Sequence, residues 1–149
     1  MAAMKMRGWR SESGAELIEF AIAFPLLLLM VAAILDFGML MRTYEVVVNA
    51  SREGARVGVL QDYACQHDPI KVRTDQFFAA SGLASADPVV TTTALTTPAG
   101  TFNACSVELT YPYNFVPLSG VASYFGGSFT TINLTSATVM RNESQAITP

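Results

Sequence analysis

Between Phe20 and Met41 the chain is apolar, interrupted only by Asp36 and Pro25. Helical rise makes that stretch roughly 33 Å long against a hydrocarbon core of about 30 Å, which predicts a transmembrane helix. The uninterrupted part, Phe20 to Leu35, is shorter at about 24 Å. Asp36 is therefore expected at the outer interface or against a partner. Pro25 removes one intrahelical hydrogen bond and predicts a kink, which a membrane helix tolerates when neighbours satisfy the freed carbonyl. Arg42 to Gln61 holds no proline. The pattern thus predicts one helix from about Ala15 to Leu60.

Beyond it the periodicity shortens. Asp68 as N-cap and Pro69 at the first helical position predict a second helix, with Ile70, Phe77 and Leu83 facing inward and Ser81-Gly82 closing it. Pro88 to Thr97 is rich in Val and Thr and suits a strand. Val107, Leu109 and Tyr111 alternate with Glu108 and Thr110, a half-buried strand that Pro112 stops or pushes to an edge. Pro117 to Phe125 reads as a short helix or loop ended by Gly126-Gly127. Phe129 to Met140 alternates again through Ile132, Leu134, Ala137 and Val139. Three or four strands with a long helix make an α+β arrangement, the helix packed on a small antiparallel sheet. The division expected is a leader over residues 1–14, a long helix over 15–61 with its anchor at about 20–41, and a small α+β domain over 62–149. The polar tail from Arg141 to Pro149 adds no element.

Composition supports an anchor with one small domain behind it. The apolar fraction of 51% is ordinary, but only 14% of residues are charged and the mean hydropathy is +0.36, as one long apolar segment requires. The net charge of −3, with nine Lys and Arg that form no cluster, argues against nucleic acid as a partner. Lys5, Arg7 and Arg10 favour a cytoplasmic N-terminus, although Arg42, Arg52 and Arg56 follow on the other side. The two cysteines, Cys65 and Cys105, lie beyond the apolar run. An N-in, C-out anchor puts both in an oxidising compartment, where they could close a loop of about 40 residues and contribute about 3–4 kcal/mol in the chain-entropy model. The alternative is a pair of buried reduced thiols. A removable signal peptide, cut near Val31-Ala32-Ala33, is the competing reading of the apolar run. Against it stand Glu16 and Glu19, where a signal peptide is basic and free of acid.

Those two acids are the candidate chemistry. A carboxylate facing hydrocarbon costs several kcal/mol, so its presence at the mouth of an anchor suggests a role. Downstream, Ala50, Gly54 and Gly58 recur every four residues and leave a stripe with little side chain. Such a stripe lets another backbone approach closely, whether a partner helix or the protein's own sheet. Nothing points to catalysis: the single histidine, His67, sits beside Cys65 and Asp68 in an expected loop, and no phosphate loop, metal-ligand spacing or nucleophile triad is present. No cofactor or metal is implied.

Gly14-Ala15-Glu16-Leu17-Ile18-Glu19-Phe20 resembles the processing site of type IV pilin-like proteins, in which a prepilin peptidase cuts after the glycine. Glu19 to Leu28, Asp36-Phe37-Gly38 and Asn49-Ala50-Ser51-Arg52-Glu53-Gly54-Ala55-Arg56 resemble, more narrowly, the TadE-like pseudopilins of tight-adherence (Flp) pilus systems. Tyr111-Pro112-Tyr113 to Pro117-Leu118 and Ala137 to Glu143 are similar to that family's closing strands, while Asp62 to Ala104 adds nothing. Asp36 stands where relatives often carry glutamate. The resemblance implies a pilin-like fold, cleavage between Gly14 and Ala15, and a new α-amino group on Ala15. Glu19, followed by Phe20, would pair with that amine on a neighbouring subunit, removing the penalty of an isolated charge and setting axial register. It implies a minor pilin or pseudopilin of the bacterial inner membrane, acting in pilus assembly or initiation for surface adhesion, and either incorporated in the pilus or retained in the membrane. Its partners would be other pilin subunits, the inner-membrane assembly platform, the prepilin peptidase and membrane lipid. The alternatives are an uncleaved, membrane-anchored periplasmic scaffold or binding module, and a secreted soluble domain.

Overall fold

The structure is a computed structural model; it describes residues 12–60, 64–98 and 100–142. The basic leader residues Lys5, Arg7 and Arg10, the expected helix end at Gln61 and the tail beyond Asn142 lie outside the described residues. The element order is α1 (Glu12–Gly58), α2 (His67–Ala80), β1 (Val89–Thr97), β2 (Gly100–Tyr113), α3 (Pro117–Ser123) and β3 (Ile132–Arg141). The fold is α+β, with a three-stranded antiparallel sheet in the order β1-β2-β3. It resolves into two compact units. Among the described residues, one takes in 12–36 and Val116–Phe129; the other takes in those from Phe37 to Phe115 and 130–142. Helix α1, 47 residues long and continuous through Pro25, supplies residues to both.

In the second unit the core has two clusters. Val47 and Ala50 of α1 meet Phe78, Ala86 and Leu109. Ala55 and Val59 meet Ile70, Cys105 and Val107. These α1 positions fall on one face at helical spacing, and Cys105, Val107 and Leu109 share one face of β2 by the two-residue period of a strand. Phe78 stacks on Tyr111 at 5.8 Å between ring centroids. The inward face of α2 differs from expectation by one position. Ile70, Thr74 and Phe78 are fully buried, four residues apart, whereas Phe77 and Leu83 only flank the cluster.

The ends of α2 also show one difference. Its N-cap is Gln66, with no side-chain cap bond, and Asp68 lies inside the first turn. There it still complements the helix dipole. The C-terminus follows the sequence: Gly82 takes φ +74°, Leu83 N–H donates to Phe78 C=O (3.0 Å) and Gly82 N–H to Ala79 C=O (3.1 Å). That is a Schellman closure, for which glycine is the favoured residue.

Pro112 does not stop the central strand. β1 pairs with β2 only as far as Glu108, while β3 pairs through Tyr113. Pro112 therefore sits where β2 has a neighbour on one side only, which is where a missing amide is tolerated. In β3 the inward face runs through Leu134, Ser136, Thr138 and Met140, and Ala137 and Val139 are exposed on the other face. The alternation that begins at Leu134 cannot include Ala137, because an odd separation changes face.

Candidate functional site

The anchor half of α1 begins with the candidate cleavage bond. Gly14 and Ala15 lie in the first turn of α1, at the end of the helix where backbone N–H groups lack intrahelical acceptors. Ala15 to Phe20 are exposed. Glu16, Glu19, Phe20 and Ala23 border one shallow surface depression, since residues three, four and seven apart share a helix face. Phe20 also contacts Phe24, with ring centroids 5.3 Å apart. Glu19 and Phe20 thus lie on one exposed face of the helix.

Farther along, Leu17, Ile18, Ile22, Leu26, Leu27, Met30, Ile34 and Leu35 are all exposed. Helix α1 is long and apolar enough to cross a membrane, and only 6% of its most apolar window is buried. A helix from a soluble core would be mostly covered, so this surface suits lipid. Asp36 has a partner within the chain itself. It is almost fully buried, and its carboxylate accepts a hydrogen bond from Leu118 N–H at 2.6 Å. Leu118 follows Pro117 at the start of α3, so the acid satisfies one of the amides that the new helix leaves without a partner.

The small-residue stripe lies against the second unit's own elements. A Cβ on Gly54 would come within 2.9 Å of Thr74 Cγ2 and 3.2 Å of Ile70 Cγ2; one on Gly58 would come within 2.8 Å of both Cys105 Sγ and Ile70 Cδ1. Ala50 is fully buried beside them. The absence of side chains is what lets α2 and β2 approach α1. Cys65 and Cys105 form a disulfide with Cα atoms 5.4 Å apart, fastening the α1–α2 connection to the middle strand.

Two contacts have no signal in the sequence. Ser51, fully buried on α1, places its Oγ 3.0 Å from Ser136 Oγ and 2.9 Å from Thr138 Oγ1, a hydroxyl seam between helix and sheet. Arg73 donates from Nε and Nη2 to Glu53 Oε1 at 3.0 and 2.6 Å, joining α2 to α1. At the N-terminal end of α2, His67 lies 3.7 Å from Asp87 and Lys71 Nζ lies 3.0 Å from it. The Asp87 hydrogen bond holds the Lys71 ammonium above its ordinary pKa, and Lys71 holds the Asp87 carboxyl below its own. This is an exposed charge network. Cys65 beside it is bonded to Cys105, and among the described residues no His, Cys, Asp and Glu side chains gather as metal ligands would.

The family model described as TadE-like protein matches residues 14–56. No curated protein and no solved structure matches the chain. The matched stretch takes in the cleavage pattern, the whole apolar run and the Arg-Glu-Gly-Ala-Arg sequence. The N-terminal part of this chain is TadE-like, and that family suggests involvement in tight-adherence (Tad/Flp) pilus systems.

Proposed function

We propose that this protein is a single-pass pseudopilin of the bacterial inner membrane, cleaved between Gly14 and Ala15 by a prepilin peptidase. It acts as a minor structural component in assembling or initiating a tight-adherence pilus for surface attachment. The N-terminus is cytoplasmic and the α+β unit periplasmic, where its disulfide is stable. The observation that carries the reading is the TadE-like match over residues 14–56, on a helix whose apolar surface is uncovered.

Within it, Glu19 has the leading part. It is exposed at the mouth of the apolar run, where a carboxylate turned toward hydrocarbon without a partner is unfavourable. A neighbouring subunit's Ala15 amine offsets that cost in one axial register and leaves both charges unpaired in others. Partners are then other pilin subunits and the inner-membrane assembly platform, met through helix surfaces rather than through chemistry on a substrate.

N-terminal sequencing of the mature protein from its native host tests the reading. A start at Ala15, lost in Gly14→Ala or a comparable processing variant, supports it. An intact Met1 would replace it with a fixed periplasmic scaffold, and a start at Ile34 with a secreted domain. Glu19→Val should still insert in the membrane but fail to support pilus assembly; normal pili from that variant would remove the pairing role.

A further inference from the structure

Between Glu108 and Arg141 the chain carries no charged residue. The middle of that stretch, Val116–Phe129, belongs to the same compact unit as the anchor half of α1. Two contacts lay it along the anchor. Leu118 N–H donates to the Asp36 carboxylate, and Gly120, Val121, Tyr124 and Phe125 line an apolar groove with Phe24, Pro25 and Leu28. Helical rise separates Asp36 from Pro25 by about 16 Å, so the segment runs beside about half of a 30 Å hydrocarbon core.

Its surface and its backbone both suit lipid. Val116, Tyr124, Phe125 and Phe129 are 69%, 90%, 59% and 47% exposed, and this apolar patch continues the uncovered surface of the anchor. In hydrocarbon a backbone polar group needs a partner within the protein. Here Gly120 N–H donates to Val116 C=O (3.1 Å), Tyr124 to Val121 (3.3 Å), Phe125 to Ala122 (2.9 Å), Gly126 to Ser123 (3.1 Å) and Gly127 to Ala122 (2.9 Å). The hydroxyls of Ser119 and Ser123 turn back onto the carbonyls of Val116 and Gly120. Gly126, at φ +74°, supplies the turn that closes the set.

We propose that residues 116–129 are a second membrane-embedded element, which dips into the periplasmic leaflet beside the anchor and seats its apolar face among acyl chains. Lipid, rather than a second protein, is the occupant because the patch is uncharged and continuous with the lipid-facing surface of α1. Tyr124, amphipathic and almost wholly exposed, suits the interfacial zone. The anchor and this segment then form one membrane unit with two points of insertion.

The inference rests on the anchor reading, and single-cysteine reporters in the full-length protein separate the two. Leu27→Cys reports on the anchor, Phe125→Cys on the segment, and Ala84→Cys on an exposed position of the other unit; Tyr124→Cys repeats the segment measurement where Phe125→Cys folds poorly. The native disulfide does not react with maleimide. Each protein is reconstituted in phosphatidylcholine vesicles. One sample is exposed to a polar maleimide on both sides of the bilayer; another, labelled beforehand with an environment-sensitive fluorophore, is exposed to lipids with brominated acyl chains. The expected result is loss of maleimide labelling and quenching by brominated lipid at Leu27→Cys and Phe125→Cys, and the reverse at Ala84→Cys. Labelling of Phe125→Cys as rapid as that of Ala84→Cys overturns the proposal while leaving the anchor intact. Protection without lipid quenching overturns it too, since protein would then cover the patch. Labelling at Leu27→Cys overturns the anchor and the proposal together.

Discussion

The Asp36 carboxylate and the Leu118 N–H, 82 positions apart in sequence, meet at 2.6 Å. A single acid in the apolar run thereby holds the first turn of a distant helix. Asp36→Ala leaves a half-buried amide without this acceptor, a loss of about 1 kcal/mol, and Asp36→Asn keeps an oxygen acceptor and should lose less. Hydrogen exchange at the Leu118 amide checks this: fastest in the alanine variant and intermediate in the asparagine variant. Equal exchange in all three proteins would mean that the acid does not hold the helix.

Ser51 occupies a buried position between two β3 hydroxyls. Ser51→Ala removes the shared partner of Ser136 and Thr138, with an expected cost of about 1 kcal/mol. The denaturant midpoint of the full-length protein in detergent should fall while the slope of the transition stays unchanged.

Gly54 and Gly58 mark the closest approach of α1 to its neighbours. An alanine at Gly58 meets Cys105 Sγ, fixed in the disulfide, and Ile70 Cδ1 at the same 2.8 Å. Gly58→Ala should therefore destabilise by about 1–3 kcal/mol through overpacking, despite the gain in helix propensity. Gly54→Ala presses chiefly on methyl groups of Thr74 and Ile70, with less rigid surroundings, and should cost less. Thermal unfolding of the two variants gives the order; stabilisation by Gly58→Ala would contradict the packing described.

The Cys65–Cys105 disulfide spans 40 residues. Reduction, or Cys105→Ser with Cys65→Ser, should remove about 3–4 kcal/mol by restoring loop entropy to the unfolded chain. Unfolding with and without reductant measures it, and the double variant should no longer respond to reductant.

The Lys71–Asp87 pair sets a shallow pH dependence. Asp87 has its carboxyl pKa lowered from an ordinary value of 3.8, so its contribution is present above that value and is lost as pH falls through the depressed one. Lys71 is raised from 10.5; its contribution is full below 10.5 and is lost as pH rises through the raised value. Stability from this pair is flat through neutral pH and declines at both extremes. Both groups are exposed, so salt screens the effect. Lys71→Met should flatten the acid and alkaline limbs at low ionic strength and change little at high salt.

The long helix with its apolar run, the Gly82 closure and the disulfide partners were readable because each rests on local chemistry. Apolar length, glycine at a helix end and a two-cysteine count each need only a few neighbouring residues or a composition. The misplaced details have a common origin. In α2 Phe78 is fully buried and Phe77 only flanks the core, and Val139 faces out rather than in; in each case adjacent apolar residues leave the phase of the pattern open. Which phase is used depends on what the element packs against.

By itself the sequence determined the long helix, α2, the strand character of β1 and β3 and the TadE-like character of residues 14–56, since hydrophobic periodicity and a contiguous motif are properties of the chain alone. Tertiary structure decided where Asp36 sends its charge, that Ser51 bridges to β3, and that the Ala50–Gly54–Gly58 stripe lies against α2 and β2. It also decided that α3 belongs with the apolar half of α1. Those outcomes join residues tens of positions apart. They depend on which faces meet once the backbone has folded, and local pattern carries no record of that.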